Sequence, residues 1–364
     1  MTIQTRNLSL DIFRGLTICF MIIVNTAGAD CSYAPLEHAP WHGFTPTDLV
    51  FPSFLFAVGN SIFFSKMHWN INPYGKILKR TAIIFLIGYF MYWFPFLKHT
   101  DAGLVFKPFH NTRFMGVLQR IALCYGIGSI LIYNFNKKAL WIIGACLLLA
   151  YWAMMAMGGD YSMLGNLAHK IDFAILGDSH MYHGEGVAFE PEGFLSTIPS
   201  IVNVIAGYLT ASYMIENNGV NKDKLMKLAI AGFILLALSW LWNIVFPINK
   251  KIWTSSFVLQ TVGWDLIILS IVSYISDVSG QAKLLEFFRI AGRNPLFLYL
   301  LSEVLVIMLG FIRIGGKSLF SIIYSNTFAA LPCKLGSFLF AFTYMLVCWS
   351  AGWWLNKKGW VFKV

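Results

Sequence analysis

Charge is scarce in this chain of 364 residues. Only 12% of them are charged while 57% are hydrophobic, whereas a soluble domain carries about 25% charge. That scarcity, with a mean hydropathy of +0.65, excludes an ordinary soluble globular fold. It points to an all-α, polytopic helical bundle in a lipid bilayer. Cysteine is also scarce, and none of the six falls at a metal-ligand spacing. Cys19, Cys124, Cys146 and Cys348 lie inside apolar runs, where a thiol serves as a small buried hydrophobe. No cleavable signal is evident, since only Met1 to Asn7 precede the first apolar segment. No internal repeat stands out.

What is abundant is apolar and aromatic. Runs near the spanning length of roughly 20 residues occur at about 8–27, 46–65, 77–96, 115–135, 139–157, 194–215, 225–247, 253–276, 289–312 and 335–356. These predict ten transmembrane helices. A shorter apolar stretch, 318–332, is expected to be re-entrant or interfacial. With the N-terminus in the cytoplasm, sixteen Lys and Arg fall on the inner side, Arg6 and Lys363 among them, and nine on the outer. This asymmetry favours two cytoplasmic termini and places loops 28–45 and 158–193 outside. The net charge of +10 therefore needs no nucleic-acid partner.

The most informative segment is Asn25 to Gly43, a polar loop with His38 and no Lys or Arg, held between two spans. Ten residues after His38 comes Asp48, at the start of the next span. Thr45 and Pro46 suit an N-cap and first helical position there, and an Asp in that turn is favoured by the helix dipole. Asp48 also suits a carboxylate that fixes the His38 tautomer. Asp11, Arg14, Asp48, Arg120, Asp265 and Glu303 all fall within spans, where an unpaired charge costs at least ~2.5 kcal/mol. Asp11 and Arg14, three apart, can neutralise each other. Arg14 together with Arg120 is also expected to form an anion site at the inner mouth, because a guanidinium cannot shed its charge and suits phosphate. His180 and His183, beside Asp178 and Glu185, have a metal-like spacing. The segment lacks the helical periodicity that would hold them on one face, so no metal is expected.

Several ordered motifs, taken together, resemble the heparan-α-glucosaminide N-acetyltransferase family, bacterial relatives included. They are Leu8-Ser-Leu-Asp11-Ile-Phe-Arg14-Gly15, Val24-Asn25, His38-Ala-Pro-Trp41-His-Gly43 and Thr47-Asp48-Leu-Val-Phe-Pro52. Further along come Gly116-Val-Leu-Gln119-Arg120, Pro191-Glu-Gly193-Phe-Leu-Ser196, Asn249-Lys-Lys-Ile-Trp253 and Gly292-Arg-Asn294-Pro-Leu-Phe-Leu-Tyr299. The resemblance implies a single transmembrane acetyltransferase domain over residues 1–364, using cytoplasmic acetyl-CoA and acetylating a glucosamine-type amine on the far face. It makes His38 the catalytic histidine and Asn25 an active-site residue, beside Asp48. The matched motifs add Gln119 and Asn294 to Arg14 and Arg120 on the coenzyme side, and Trp41 and Trp253 on the acceptor side; Glu37, beside His38 where the Asn25–His38 spacing is longer than the family's, is also expected on the acceptor side. The lack of a large N-terminal extension points to the plasma membrane of a bacterium, and a homodimer is compatible with such a bundle.

The chemistry fits independently. A pantetheine arm reaches roughly 15–20 Å, enough to carry a thioester from the inner mouth toward His38. An imidazole titrates near neutral pH and suits deprotonation of an amine, while Asn25 can bind an oxyanion without adding charge. Direct transfer and an acetyl-histidine intermediate both stay open. Two other readings remain: an O-acetyltransferase of a surface glycan, and a transporter relaying protons through Asp265 and Glu303.

Overall fold

Helix starts follow the capping residues. The computed structural model of the chain describes residues 8–67, 69, 72–100, 103–216 and 219–362; Arg6 and Lys363, counted in the charge tally, lie outside them. Among the described residues there are thirteen α-helices. They are α1 Leu8–Asn25, α2 Pro46–Lys66, α3 Tyr74–Trp93, α4 Val117–Asn134, α5 Lys137–Gly158, α6 Leu167–Leu176 and α7 Phe194–Ile215. Then follow α8 Lys222–Trp242, α9 Ser255–Ser273, α10 Glu286–Gly292, α11 Pro295–Phe311, α12 Leu319–Thr327 and α13 Cys333–Lys357. Asn136, Asn166, Asn221 and Thr254 each accept a backbone N–H of the first turn, opening α5, α6, α8 and α9. Two short hairpins, 97–106 and 313–318, are the only strands among the described residues.

Eight of the helices are long and apolar enough to cross a membrane, and α10 with α11 forms a bent pair that also passes. α3 has 20 residues, but Lys76, Lys79 and Arg80 in its first turns make that end polar. Helices thus stand at all ten expected positions. The run at 289–312 is not one straight helix: α10 and α11 meet at 61°, because Pro295 has no N–H to continue the ladder and pushes Asn294 out of helical geometry (φ −132°, ψ 53°). The segment 158–193 is not structureless either, since it contains α6. The short apolar stretch holds α12.

Small residues let the helices approach closely. Gly59 of α2 lies against the Val204 carbonyl of α7, and Gly207 of α7 against the Phe56 carbonyl of α2; a Cβ at either position would collide with backbone. Gly15 of α1 and Gly292 of α10 interlock the same way. α1, α2, α4, α7 and α9 surround a core that includes Phe13, Phe56, Val204 and Phe257. α5 and α8 lie at the periphery with much of their surface exposed. Cys19, Cys124 and Cys348 are buried as expected; Cys146 is exposed on α5, because that face of the helix has no protein neighbour. Cys31 and Cys333 form a disulfide, which the sequence reading does not anticipate.

Candidate functional site

Alternation of the helices sorts the bundle into two ends. Asn25, the 26–45 loop, the start of α4 and the 159–193 segment share one end; the start of α1 and the ends of α2, α4 and α7 share the other. A cavity of about 550 Å³ runs between them, bounded by α1, α2, α3, α4 and α11. Arg14, Ser61, Ser65 and Arg80 line one part of it, and Asn25, His38, Tyr92, Arg113, Glu192, Lys250 and Glu303 the other. From Arg14 to Asn25 is eleven residues of α1, about 16 Å at the α-helical rise. A second cavity of about 220 Å³ adjoins at His38 and adds Trp41, Asp48, Glu185, Lys251 and Trp253.

The loop that carries His38 is fixed at several points. Cys31 ties it to Cys333 at the start of α13. Trp41 Nε1–H donates to the Tyr161 carbonyl at 2.8 Å, and Gly43 N–H to the Ile248 carbonyl at 2.8 Å. Thr47 and Thr45 hydroxyls donate to the carbonyls of Pro35 (3.0 Å) and Glu37 (2.7 Å). Asp48, buried in the first turn of α2, serves both roles considered for it. Its Oδ2 accepts the N–H groups of Thr45 (3.0 Å) and Ala39 (3.2 Å), capping the helix. Its Oδ1 stands 2.7 Å from His38 Nδ1. A carboxylate only accepts, so Nδ1 carries the hydrogen and the Nε2 lone pair is left for chemistry.

Lys250, on the connection between α8 and α9, is a functional candidate that sequence reasoning missed. Its Nζ lies 3.1 and 3.3 Å from the two ring nitrogens of His38 and 3.8 Å from Asp48 Oδ1. Burial pulls its amino group below the ordinary lysine range, with the carboxylates of Asp48 and Glu192 opposing. The available signal was a Lys pair on the side that carries fewer Lys and Arg, inside a quoted motif. Arg113 pairs with Glu190 (3.0 and 2.5 Å) and Glu192 (2.5 Å), and its guanidinium lies between the rings of Tyr92 and Tyr182. Burial disfavours the Glu192 carboxylate, but Arg113 and Arg120 outweigh it and hold the group below the usual range. Glu303, read from sequence as an intramembrane charge and a proton-relay candidate, receives a hydrogen bond from the Asn25 side chain. Arg80, one of the sixteen inner-side Lys and Arg, lines the cavity, its guanidinium 4.9 Å from the Tyr125 ring centroid and its Nε buried without a hydrogen-bond partner among the described residues.

The structure thus brings His38, Asn25 and Arg14 to one cavity, with Asp48, Trp41 and Trp253 around the smaller one. Arg14 also makes the expected pair with Asp11, at 2.6 Å. Four expected residues fall elsewhere. Arg120 is fully buried one turn into α4, at the His38 end and away from Arg14. There it donates to the Gly193 carbonyl (3.1 Å) and to the Ser196 hydroxyl, 4.9 Å under the Trp253 ring. An inner-mouth anion site is therefore not where Arg120 sits, because α4 runs antiparallel to α1. Gln119 is buried between α3 and α4, donating to the Phe114 carbonyl at 3.2 Å. Asn294 occupies the break before α11, bonding the Trp360 carbonyl (3.1 Å) and the Phe362 N–H (2.7 Å). Glu37 is exposed and lines neither cavity.

Trp253 adopts φ +49°, a left-handed conformation that costs an aromatic residue free energy. Its indole N–H donates to Asn203 Oδ1 at 3.2 Å, and Phe51 and Phe257 pack edge-on against it. The ring is thereby locked as a wall of the smaller cavity. Asp265 accepts from the Ser53 hydroxyl at 2.5 Å and lines neither cavity, so no wet path joins it to Glu303 through them. His180 bonds the Thr112 carbonyl at 2.8 Å and His183 the Met181 carbonyl at 3.2 Å. Among the described residues, no group of His, Cys, Asp and Glu is arranged to hold a metal.

Residues 6–240 match the family model described as heparan-alpha-glucosaminide N-acetyltransferase, catalytic. The chain is 29% identical over 360 residues to the heparan-alpha-glucosaminide N-acetyltransferase of Homo sapiens, covering 81% of this chain and 52% of that protein. It is 29% identical over 357 residues to that of Mus musculus, covering 81% and 53%. The chain spans about half the length of these curated relatives.

Proposed function

The chain belongs to the heparan-α-glucosaminide N-acetyltransferase family, and from that premise we propose that it carries an acetyl group through the bundle, from acetyl-CoA at the Arg14 end to a glucosamine-type amine at the His38 end. The observation that carries this reading is the continuous cavity with guanidinium groups at one end and the His38–Asp48 pair at the other. Arg14 and Arg80 supply charge-assisted donors for the coenzyme's diphosphate. The interval of about 16 Å along α1 matches the reach of the pantetheine arm.

In the proposed reaction the acceptor nitrogen attacks the thioester carbonyl carbon. His38 Nε2 takes the proton from that nitrogen, with Asp48 holding the imidazolium. The carbonyl oxygen gains charge opposite Asn25 and Lys250. Collapse breaks the carbon–sulfur bond, and the thiolate leaves as coenzyme A after taking from His38 Nε2 the proton that came from the amine, which restores the base. The acceptor ring is read as resting in the smaller cavity against Trp41 and Trp253. Each cation there has an acid beside it, Lys251 with Glu185 at 2.7 Å, Arg113 with Glu190 and Glu192, and Lys250 with Asp48 at 3.8 Å, which favours an amino sugar without sulfate groups.

The Cys31–Cys333 disulfide lies at the His38 end. Disulfides persist in oxidising compartments, which supports placing that end outside the cytoplasm and both termini within it, in a plasma membrane. Incubating purified protein with acetyl-CoA and glucosamine, followed by mass spectrometry, tests the chemistry. N-acetylglucosamine is the expected product; acetylation confined to hydroxyls would favour an O-acetyltransferase, and no acetylated sugar would reject the reading.

A further inference from the structure

A second large cavity, about 660 Å³, is separate from the site. α5 and α8 form its walls, and α7 and α9 its floor. Gly144, Ala145, Ala206 and Ala231 keep it open, and most of its lining is aliphatic. All of its charged residues sit at one end: Lys137, Lys224 and Lys227 against the single carboxylate of Glu216. Lys137 pairs with Glu216, and Lys224 is spent on the carbonyls that close α7, at Met214, Glu216 and Gly219. Lys227 is exposed and makes no ion pair among the described residues. The walls are open to the side, with Trp141 66% exposed.

An apolar trough with surplus positive charge at one end has the polarity of a phospholipid whose headgroup is anionic. A basic pocket between membrane helices attracts such headgroups, and a zwitterionic lipid gains nothing from the extra charge. We propose that this trough binds one anionic phospholipid of the leaflet at the Arg14 end. Its acyl chains lie over Gly144, Ala206 and Ala231, and its phosphate lies against Lys227 and Lys137. The site is independent of acetyl transfer, so either reading can fail alone.

Native mass spectrometry of the protein after exchange with vesicles of equal phosphatidylglycerol and phosphatidylcholine, matched in acyl chains, tests it. One phosphatidylglycerol per chain should be retained in preference to phosphatidylcholine. Lys227→Gln should lower that preference about five-fold, the effect of one lysine beside an anionic headgroup. Gly144→Leu should abolish retention by filling the trough; a Cβ there meets only Val202 Cγ1 at 3.7 Å, so the helix tolerates it. Equal retention of both lipids, or wild-type retention by both variants, would overturn the proposal. So would lipid-free dimers that Gly144→Leu converts to monomers, since the trough would then be covered by a second copy of the chain.

Discussion

His38 Nδ1 stands 2.7 Å from Asp48 Oδ1, while the other carboxylate oxygen caps the helix that Asp48 begins. One buried side chain therefore couples the fold of α2 to the orientation of the imidazole. Asp48→Asn keeps the shape and an oxygen acceptor but removes the charge that stabilises an imidazolium. It should lower kcat about a hundred-fold or more, the usual contribution of a positioned base, with the KM for acetyl-CoA unchanged. His38→Ala should abolish transfer yet leave acetyl-CoA binding intact; steady-state kinetics and a binding titration separate the two. Under direct transfer, labelled acetyl-CoA without acceptor should leave no label on His38.

Arg14 and Arg80 are expected to act on the donor. Replacing either by Ala should raise the KM for acetyl-CoA about ten-fold or more, the worth of one hydrogen bond to a charged group, with little change in kcat at saturation. Arg120→Ala should behave differently. It empties the space beside the Trp253 ring and removes a cation that, with Arg113, holds Glu192 ionised, so the melting temperature should fall while the donor KM stays put. A donor KM that responds to Arg120 and ignores Arg14 and Arg80 would reverse this assignment.

The disulfide closes a loop of 302 residues between Cys31 and Cys333. Cys333→Ser should cost about 2–4 kcal/mol of stability and loosen the His38 loop. Reductant should reproduce the loss in the wild type and have no effect on the variant, which thermal unfolding with and without reductant would read out.

Asp172, in the middle of α6, is buried and accepts the Phe194 N–H at 2.7 Å. Burial raises its carboxyl from 3.8 to about 6, with the backbone hydrogen bonds opposing. A raised carboxyl favours the folded state when protonated. That stability is complete below the unfolded value and is lost as pH rises through the folded one, by about 3 kcal/mol. Asp172→Asn should therefore flatten the fall in unfolding temperature between about pH 4 and pH 7. An unchanged slope would remove Asp172 as its source.

Much of this arrangement was legible in the chain. The ten apolar runs located nine long helices and the bent α10–α11 pair, because spanning a bilayer demands length and hydropathy that leave a plain mark. His38, Asp48 and the Asp11–Arg14 pair could be read because each relationship is local, within one turn or one loop. What could not be read depends on antiparallel packing. Arg14 and Arg120 each lie in the first two turns of a span, but α1 and α4 run in opposite directions, so the two stand at different ends. Lys250, Arg80 and Glu303 join the cavity from distant parts of the chain, and no spacing within one segment encodes that. Gln119 and Asn294 stand inside matched motifs yet hold helices and the C-terminal tail together, so motif membership alone did not separate support from chemistry. The Cys31–Cys333 pair, joining opposite ends of the chain, was equally invisible.

The most direct test of the central claim is a sided assay in proteoliposomes, with glucosamine sealed inside and radiolabelled acetyl-CoA added only outside. Labelled N-acetylglucosamine should accumulate in the lumen, and His38→Ala should prevent it. Product formed only when sugar and coenzyme share one compartment would contradict transfer through the bundle.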